Sequence, residues 1–250
     1  MKNRIMTHIV AGYPNMKECE ERAIQFARSG IEFVEIQIPF SDPVADGPVI
    51  MKACEHSLKA GTKTKDCFNL MKRLSKRFKE EKLETKLLFM TYFNISHKYG
   101  LKKFCKDAKQ VGAYGLIIPD IPIDEESHEG YLKECKANDL NPIQVISPIT
   151  PDERLNKIGK VAKGFVYCVS RYGTTGAKSD LNPKLKTYLG KVRKYIDLPL
   201  AVGFGISNRA QINAVHKHAE IAVIGSALIE SSSQQSINLF SVGFDVEEDF

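Results

Sequence analysis

Residues 33–48 read FVEIQIPFSDPVADGP: a mostly apolar run carrying one carboxylate, then three prolines and a glycine that bracket two aspartates. A short run of this kind, apolar almost throughout, suits a strand buried on both faces, as in a parallel sheet covered by helices. Pro39, Pro43 and Pro48 interrupt any continuation of the strand, because proline donates no ladder hydrogen bond. Phe33–Ile38 is therefore expected to be a strand, and the segment after it a loop leaving its C-terminal end.

The same alternation extends outward in both directions. Ile5–Val10, Lys86–Thr91, Tyr114–Ile118, Pro142–Ile146, Gly164–Val169, Leu198–Val202 and Ile221–Ile224 are the other candidate strands. Helices are expected over Lys17–Ser29, Lys65–Glu81, Leu101–Val111, Glu125–Asn138, Asp152–Val161, Asn182–Ile196 and Ser207–Lys217. Apolar residues there recur at i, i+3 and i+4, as in Cys67, Leu70, Met71 and Leu74. Gly30, Gly61 and Gly112 suit left-handed helix stops, and Ser207 and Thr150 suit N-caps. Eight strand–helix alternations predict an α/β fold, a (β/α)8 TIM barrel, in one domain over residues 1–250. An open doubly wound sheet is the competing architecture.

Composition narrows the function classes. Hydrophobic residues are 43% and charged residues 26%, as in an ordinary globular protein. The net charge of +6 is carried by runs such as KRLSKRFKEEK (72–82) and LKKFCKDAK (101–109), whose helical spacing marks solvated faces. No basic and aromatic residues interleave as a nucleic-acid groove requires. No stretch is apolar enough to span a bilayer, and the start lacks a signal-peptide core, so the cytoplasm is the expected compartment. The six cysteines form no C-x-x-C pair and read as reduced thiols; no metal cluster is expected, and His216 and His218 read as helix-end residues.

In a barrel, reacting groups gather where strands end. Three glycine-bearing loops follow the last three strands: SRYGTTGAKSD (170–180), GFGISN (203–208) and GSALIE (225–230). Glycine lets main-chain N–H groups approach an oxyanion, and a helix N-terminus favours negative charge. Gly205, Gly225 and Ser226, with Gly176 reaching in and Gly203 beside them, are the expected phosphate cradle. Without a G-x-G-x-x-G fingerprint, a nicotinamide cofactor is not expected.

Glu35 shares a strand face with Phe33 and Gln37, and a carboxylate there needs the barrel rim or a partner. It is either a group that exchanges protons or the structural partner of a nearby lysine. Asp46 is either a second functional acid or a turn cap, the role expected of Asp42. Two acids alone would also fit glycoside hydrolysis. A phosphate cradle on the same rim points instead to a phosphorylated small molecule.

EIQIPFSDPVADGP (35–48) resembles the E-L-G-x-P-F-S-D-P-x-A-D-G-P signature of the tryptophan synthase alpha subunit family. VAGYP (10–14), TYFN (91–94), PDIP (119–122), SRYGTTGA (170–177), GFGIS (203–207) and IGSALI (224–229) extend the likeness over nearly the whole chain. The resemblance implies a lyase that cleaves indole-3-glycerol phosphate to indole and glyceraldehyde 3-phosphate. It implies a partner, the beta subunit that carries pyridoxal phosphate, in an alpha2beta2 complex, and no cofactor in this chain. Glu35 and Asp46 match the family's catalytic acids, with Asp46 receiving the indole N–H and Glu35 moving protons. Tyr167 and Thr175 match its active-site tyrosine and loop threonine, and Gly176, Gly205, Gly225 and Ser226 its phosphate residues. Tyr92 and Asn94 resemble residues near the indole pocket and the partner contact, and the loop holding Thr175 resembles a lid.

Three positions depart from the pattern. Gln37 stands in place of a glycine, where it could crowd or hydrogen-bond Glu35; His8 stands where an aromatic residue walls the indole pocket; Tyr13 replaces a common aspartate. The start is expected to lack a leading helix, and SSSQQSINLFSVGFDVEEDF (231–250) reads as a poor final helix. Two further readings stay open: a catalytically weakened alpha subunit acting mainly as an activator, and a stand-alone lyase releasing free indole.

Overall fold

The computed structural model describes residues 4–170, 182–203 and 205–230. Expectations about residues 1–3, 171–181 and 231–250 lie outside the described residues, Thr175 and Gly176 among them.

The chain runs β1 (Arg4–Val10), α1 (Met16–Arg28), β2 (Phe33–Gln37), α2 (Pro48–Lys59), α3 (Thr64–Glu80) and β3 (Lys86–Met90). It continues through α4 (Phe93–Tyr99), α5 (Leu101–Gln110), β4 (Gly115–Ile117), a 3-10 turn at Ile123–Glu125, α6 (Glu126–Glu129), α7 (Tyr131–Ala137) and β5 (Asn141–Ile146). The remainder is α8 (Asp152–Val161), β6 (Val166–Val169), α9 (Pro183–Val192), β7 (Leu200–Gly203), α10 (Arg209–His216), β8 (Ile221–Ile224) and α11 (Ser226–Glu230). The strands pair in parallel in sequence order, and β8 closes on β1 through Arg4↔Ile221 to Thr7↔Ile224. This is the (β/α)8 barrel; the open sheet is excluded by that closure.

Period-2 alternation sorts each strand into two cores. Met6, Phe33, Leu88, Ile117, Ile143, Phe165 and Val223 fill the barrel, with the Phe33 and Phe165 rings edge to face at 5.1 Å. Val34, Ile36, Phe89, Leu116, Val202 and Ile224 face outward onto the helices. The stripe foreseen on α3 is buried: Cys67, Leu70, Met71 and Leu74 pack there together with Phe78. Removing each large side chain of this kind from water contributes roughly 1.5–3 kcal/mol.

The local exceptions have local causes. Helix α2 buries only Ala53, Cys54 and Ser57, so its apolar stripe is too narrow to read as a period. Helix α4 is one short element whose N-terminus is capped from another loop, Phe93 N donating to Asp120 Oδ1 at 2.8 Å. The helix expected over Glu125–Asn138 is broken at Gly130, which takes φ 68°, and Glu126 folds back to accept from Leu132 N and Lys133 N. Asn208, not Ser207, caps α10 by accepting from Gln211 N at 3.0 Å. Thr150 accepts from Ser147 N inside the loop, while Pro151 holds the α8 N-cap position. Gly112 does end α5 at positive φ, where a Cβ would meet Ser75 Oγ at 2.0 Å. All six cysteines are buried free thiols.

Candidate active site

A cavity of about 380 Å³ opens at the C-terminal end of the barrel, and His8, Glu35, Asp46, Tyr167 and Gly225 all line it. Ile50, Met90, Ile117 and Val145 give it apolar walls. The two acids named from sequence therefore converge on one space, and Gly225 shares it.

Glu35 is the third residue of β2 and only 2% exposed, so it lies deeper than the rim position expected for it. Its neighbour in register on β1 is His8, and His8 Nδ1 lies 3.3 Å from Glu35 Oε2. The partner is thus an imidazole and not a lysine. His8 lines the cavity, and its ring also makes a polar contact with the acid. Burial lowers the proton affinity of the His8 ring, but the Glu35 carboxylate and, behind it, Asp46 raise it further, leaving it above the ordinary 6.5.

Asp46 belongs to the loop between β2 and α2, where its N–H donates to Pro43 O at 2.9 Å. Gln37 Nε2 donates to its Oδ2 at 2.6 Å and the Tyr92 hydroxyl donates to the same oxygen at 2.9 Å. Both donors meet one oxygen, so among the described residues Oδ1 has no bound donor. Gln37, the residue in place of glycine, thus holds Asp46 and makes no hydrogen bond to Glu35.

Tyr92 is fully buried with its ring stacked on Phe40 at 5.2 Å, and its oxygen also accepts from Ala45 N at 3.0 Å. It does not line the cavity: its place is behind Asp46, fixing the loop. Tyr167 does line it. Burial first, then the charges of Glu35 and Asp46, push its hydroxyl well above 10, so it stays a neutral donor. Asp120, from the PDIP segment, has its carboxyl raised by burial and spends one oxygen on the α4 cap.

The glycines divide by function. A Cβ at Gly203 would sit 3.1 Å from the Tyr167 oxygen and 3.3 Å from its ring, so Gly203 makes room for Tyr167 and is not itself a cavity wall. Gly205 takes φ +79° with open space about it, a backbone demand and not a steric one. At Gly225 a Cβ would be in ordinary contact with His8 at 3.5 Å, so packing alone would tolerate a side chain there. Ser226, the first residue of α11, follows it.

Arg154 escaped the sequence reading. It lines the cavity from the first turn of α8 and is tied to Asp124 Oδ2 at 2.8 Å. The signal was available: TPDER enters a helix directly after β5, and the first turn of such a helix faces the mouth of a barrel. Among the described residues, no helix is long and apolar enough to cross a membrane.

The arrangement offers one carboxylate with a free oxygen, a second carboxylate next to an imidazole, and a neutral phenol. Such a set can accept a ring N–H and exchange protons with carbon and hydroxyl oxygen.

The family model described as "Tryptophan synthase alpha chain" matches residues 1–241. A curated relative of that name from Desulfotalea psychrophila is 42% identical over 225 residues, covering 90% of this chain and 86% of its own. Among solved structures, tryptophan synthase subunit alpha from Legionella pneumophila is 32% identical with a TM-score of 0.84, covering 96% of this chain and 90% of that one. A tryptophan synthase from M. tuberculosis gives a TM-score of 0.85 at 26% identity over the same shares.

Proposed function

The chain belongs to the tryptophan synthase alpha chain family, and we propose that Glu35 and Asp46 perform here the lyase reaction by which that family serves tryptophan biosynthesis. The substrate of that reaction is indole-3-glycerol phosphate, and its products are indole and glyceraldehyde 3-phosphate. One observation carries the reading: both acids line the cavity that also holds Gly225.

The ring N1–H donates to Asp46 Oδ1, the oxygen its two protein partners leave free. A proton passes from the Glu35 carboxyl to indole C3, and the positive charge that spreads to N1 is stabilised by the Asp46 carboxylate. The bond from C3 to the glycerol carbon then breaks, its electron pair returning to the ring. Glu35 takes the hydroxyl proton as that carbon becomes an aldehyde. One proton is given and one recovered, so the enzyme returns to its starting state. A positioned group of this kind contributes roughly 10²–10⁴-fold.

The phosphate is held by main-chain N–H groups after β7 and β8, at Gly205, Gly225 and Ser226, which the sequence would extend to Gly176, with Thr175 of the same loop meeting the Asp46 loop. His8 and Tyr167 shape the cavity; Tyr92 and Gly203 act one step back, on Asp46 and Tyr167. A partner subunit of the beta type, in the cytoplasm, fits the exposed apolar side chains of Val44 and Ile149, 84% and 89% exposed on loops of the barrel's active face. Gln37 supports Asp46, which counts against the weakened, purely activating alpha subunit.

The test is release of glyceraldehyde 3-phosphate from indole-3-glycerol phosphate, with and without a beta subunit. Wild type is expected to turn over and Glu35→Gln to lose nearly all turnover while staying folded. Retained turnover in Glu35→Gln removes the assignment.

A further inference from the structure

His8 and Glu35 are register partners on adjacent strands, both in the barrel interior and both almost wholly buried, with Nδ1 and Oε2 3.3 Å apart. Glu35 Oε2 and His8 Nε2 are buried without a hydrogen-bond partner among the described residues. The groups facing the pair from each packed element can be named. Gln37 lies on the strand of Glu35, Asp46 on the loop above, Tyr167 on β6, and Gly225 and Ile50 bring no charge. The cavity's cation, Arg154, is tied to Asp124. Among the described residues, no lysine lines this cavity.

Resting on the reading of Glu35 as the proton carrier, we propose that His8 and Glu35 share one proton as a unit, His8 being the positioning residue that keeps Glu35 supplied and oriented. Either arrangement of that proton, imidazolium with carboxylate or imidazole with carboxylic acid, leaves the pair neutral. Adding a second proton or removing the only one leaves a net charge in an apolar barrel, which is costly. The one-proton state therefore spans a wide pH range, and its two titrations belong to the pair.

The reaction needs such a store. Glu35 must begin with a proton to place on C3, which a lone carboxylate at neutral pH seldom holds. As Glu35 gives its proton to C3, the imidazolium proton on His8 Nδ1 passes to Oε2 or has already done so; the pair is left with none. When the hydroxyl proton returns to Glu35, the one-proton state is restored. No proton is consumed. A phenyl ring at position 8 would leave Glu35 to depend on its own proton affinity.

The first measurement is an NMR titration of labelled histidine in the full chain, with His8→Asn identifying the His8 resonance among the six histidines. In Glu35→Gln the His8 midpoint is expected to fall by about one pH unit or more, because burial is then opposed only by the weaker effects of Asp46 and Gln37. An unchanged midpoint overturns the proposal without reference to activity. The second measurement is the pH profile of kcat in His8→Phe and His8→Asn. Losing the shared proton at lower pH moves the alkaline limb acidward by about one unit in both variants. His8→Asn, which offers Oε2 a donor but no titrating ring, does not restore the limb. A limb that stays in place in His8→Asn contradicts the unit, whether or not His8→Phe folds. If wild type releases no product yet the His8 midpoint still follows Glu35, the shared proton stands and the lyase assignment of Glu35 fails. If Glu35→Gln is inactive while His8 is indifferent to it, only the unit fails.

Discussion

Replacing Tyr92 with Phe removes one oxygen and leaves the stacking on Phe40 intact. That oxygen donates to Asp46 Oδ2 at 2.9 Å and accepts from Ala45 N at 3.0 Å, so Tyr92→Phe frees the loop that presents Asp46. A hydrogen bond to a charged group contributes about 1.5–3 kcal/mol. In the proposed reaction Asp46 stabilises charge that exists only after C3 is protonated, so most of the loss should fall on the transition state. Converted at 1.4 kcal/mol per tenfold, kcat should fall by roughly tenfold to a hundredfold. Stability should change less, since Ala45 is exposed and water can take over its N–H. A loss of about 1 kcal/mol moves Tm by roughly 2–4 °C in a chain of this size. Steady-state kinetics beside a thermal melt separates the two effects. An unchanged kcat, or a fall in Tm large enough to account for the lost activity, refutes the claim that Tyr92 serves Asp46.

Gly203→Ala places a methyl 3.1 Å from the Tyr167 oxygen and should cost about 1–3 kcal/mol by overpacking, seen as a lower urea midpoint; an unchanged midpoint contradicts the tight fit. Glu81 is held down to about 2 by hydrogen bonds first from Arg28 and then from Arg77. Because its folded value lies below the ordinary 4.5, its contribution is present above 4.5 and lost as pH falls toward 2. Glu81→Gln should therefore flatten the decline in urea midpoint across that window, and added salt should do the same to wild type; a decline of undiminished slope in the variant rejects the linkage.

Much of the barrel is written in apolar runs. Phe33–Gln37 and Ile221–Ile224 differ from their expected bounds by at most one residue, because near-continuous burial leaves an unmistakable pattern. Helix α2 left no such pattern, since small residues fill its buried face. Gly130 shows how one glycine inside an amphipathic period can divide a helix that the period alone would join. Neighbouring polar residues were interchangeable by eye: Ser207 and Asn208 both suit a cap, and backbone geometry chose Asn208.

At the site, residue type was legible and pairing was not. Glu35 and Asp46 announced themselves as acids in a strand and in a proline-bounded loop. That Glu35 meets His8 depends on the register of strands 27 positions apart in sequence, and that Gln37 and Tyr92 share one oxygen of Asp46 depends on a loop's path. Neither is a local property. Tyr92, expected near the indole pocket, lies behind the acid and not against the cavity.

A crystal structure of the Glu35→Gln variant with indole-3-glycerol phosphate bound tests the convergence of these groups most directly. The indole N1 should lie within hydrogen-bond reach of Asp46 Oδ1, C3 beside the side chain at position 35, and the phosphate against the main chain at Gly225 and Ser226. A substrate bound with N1 turned away from Asp46, or with its phosphate elsewhere, would contradict the account.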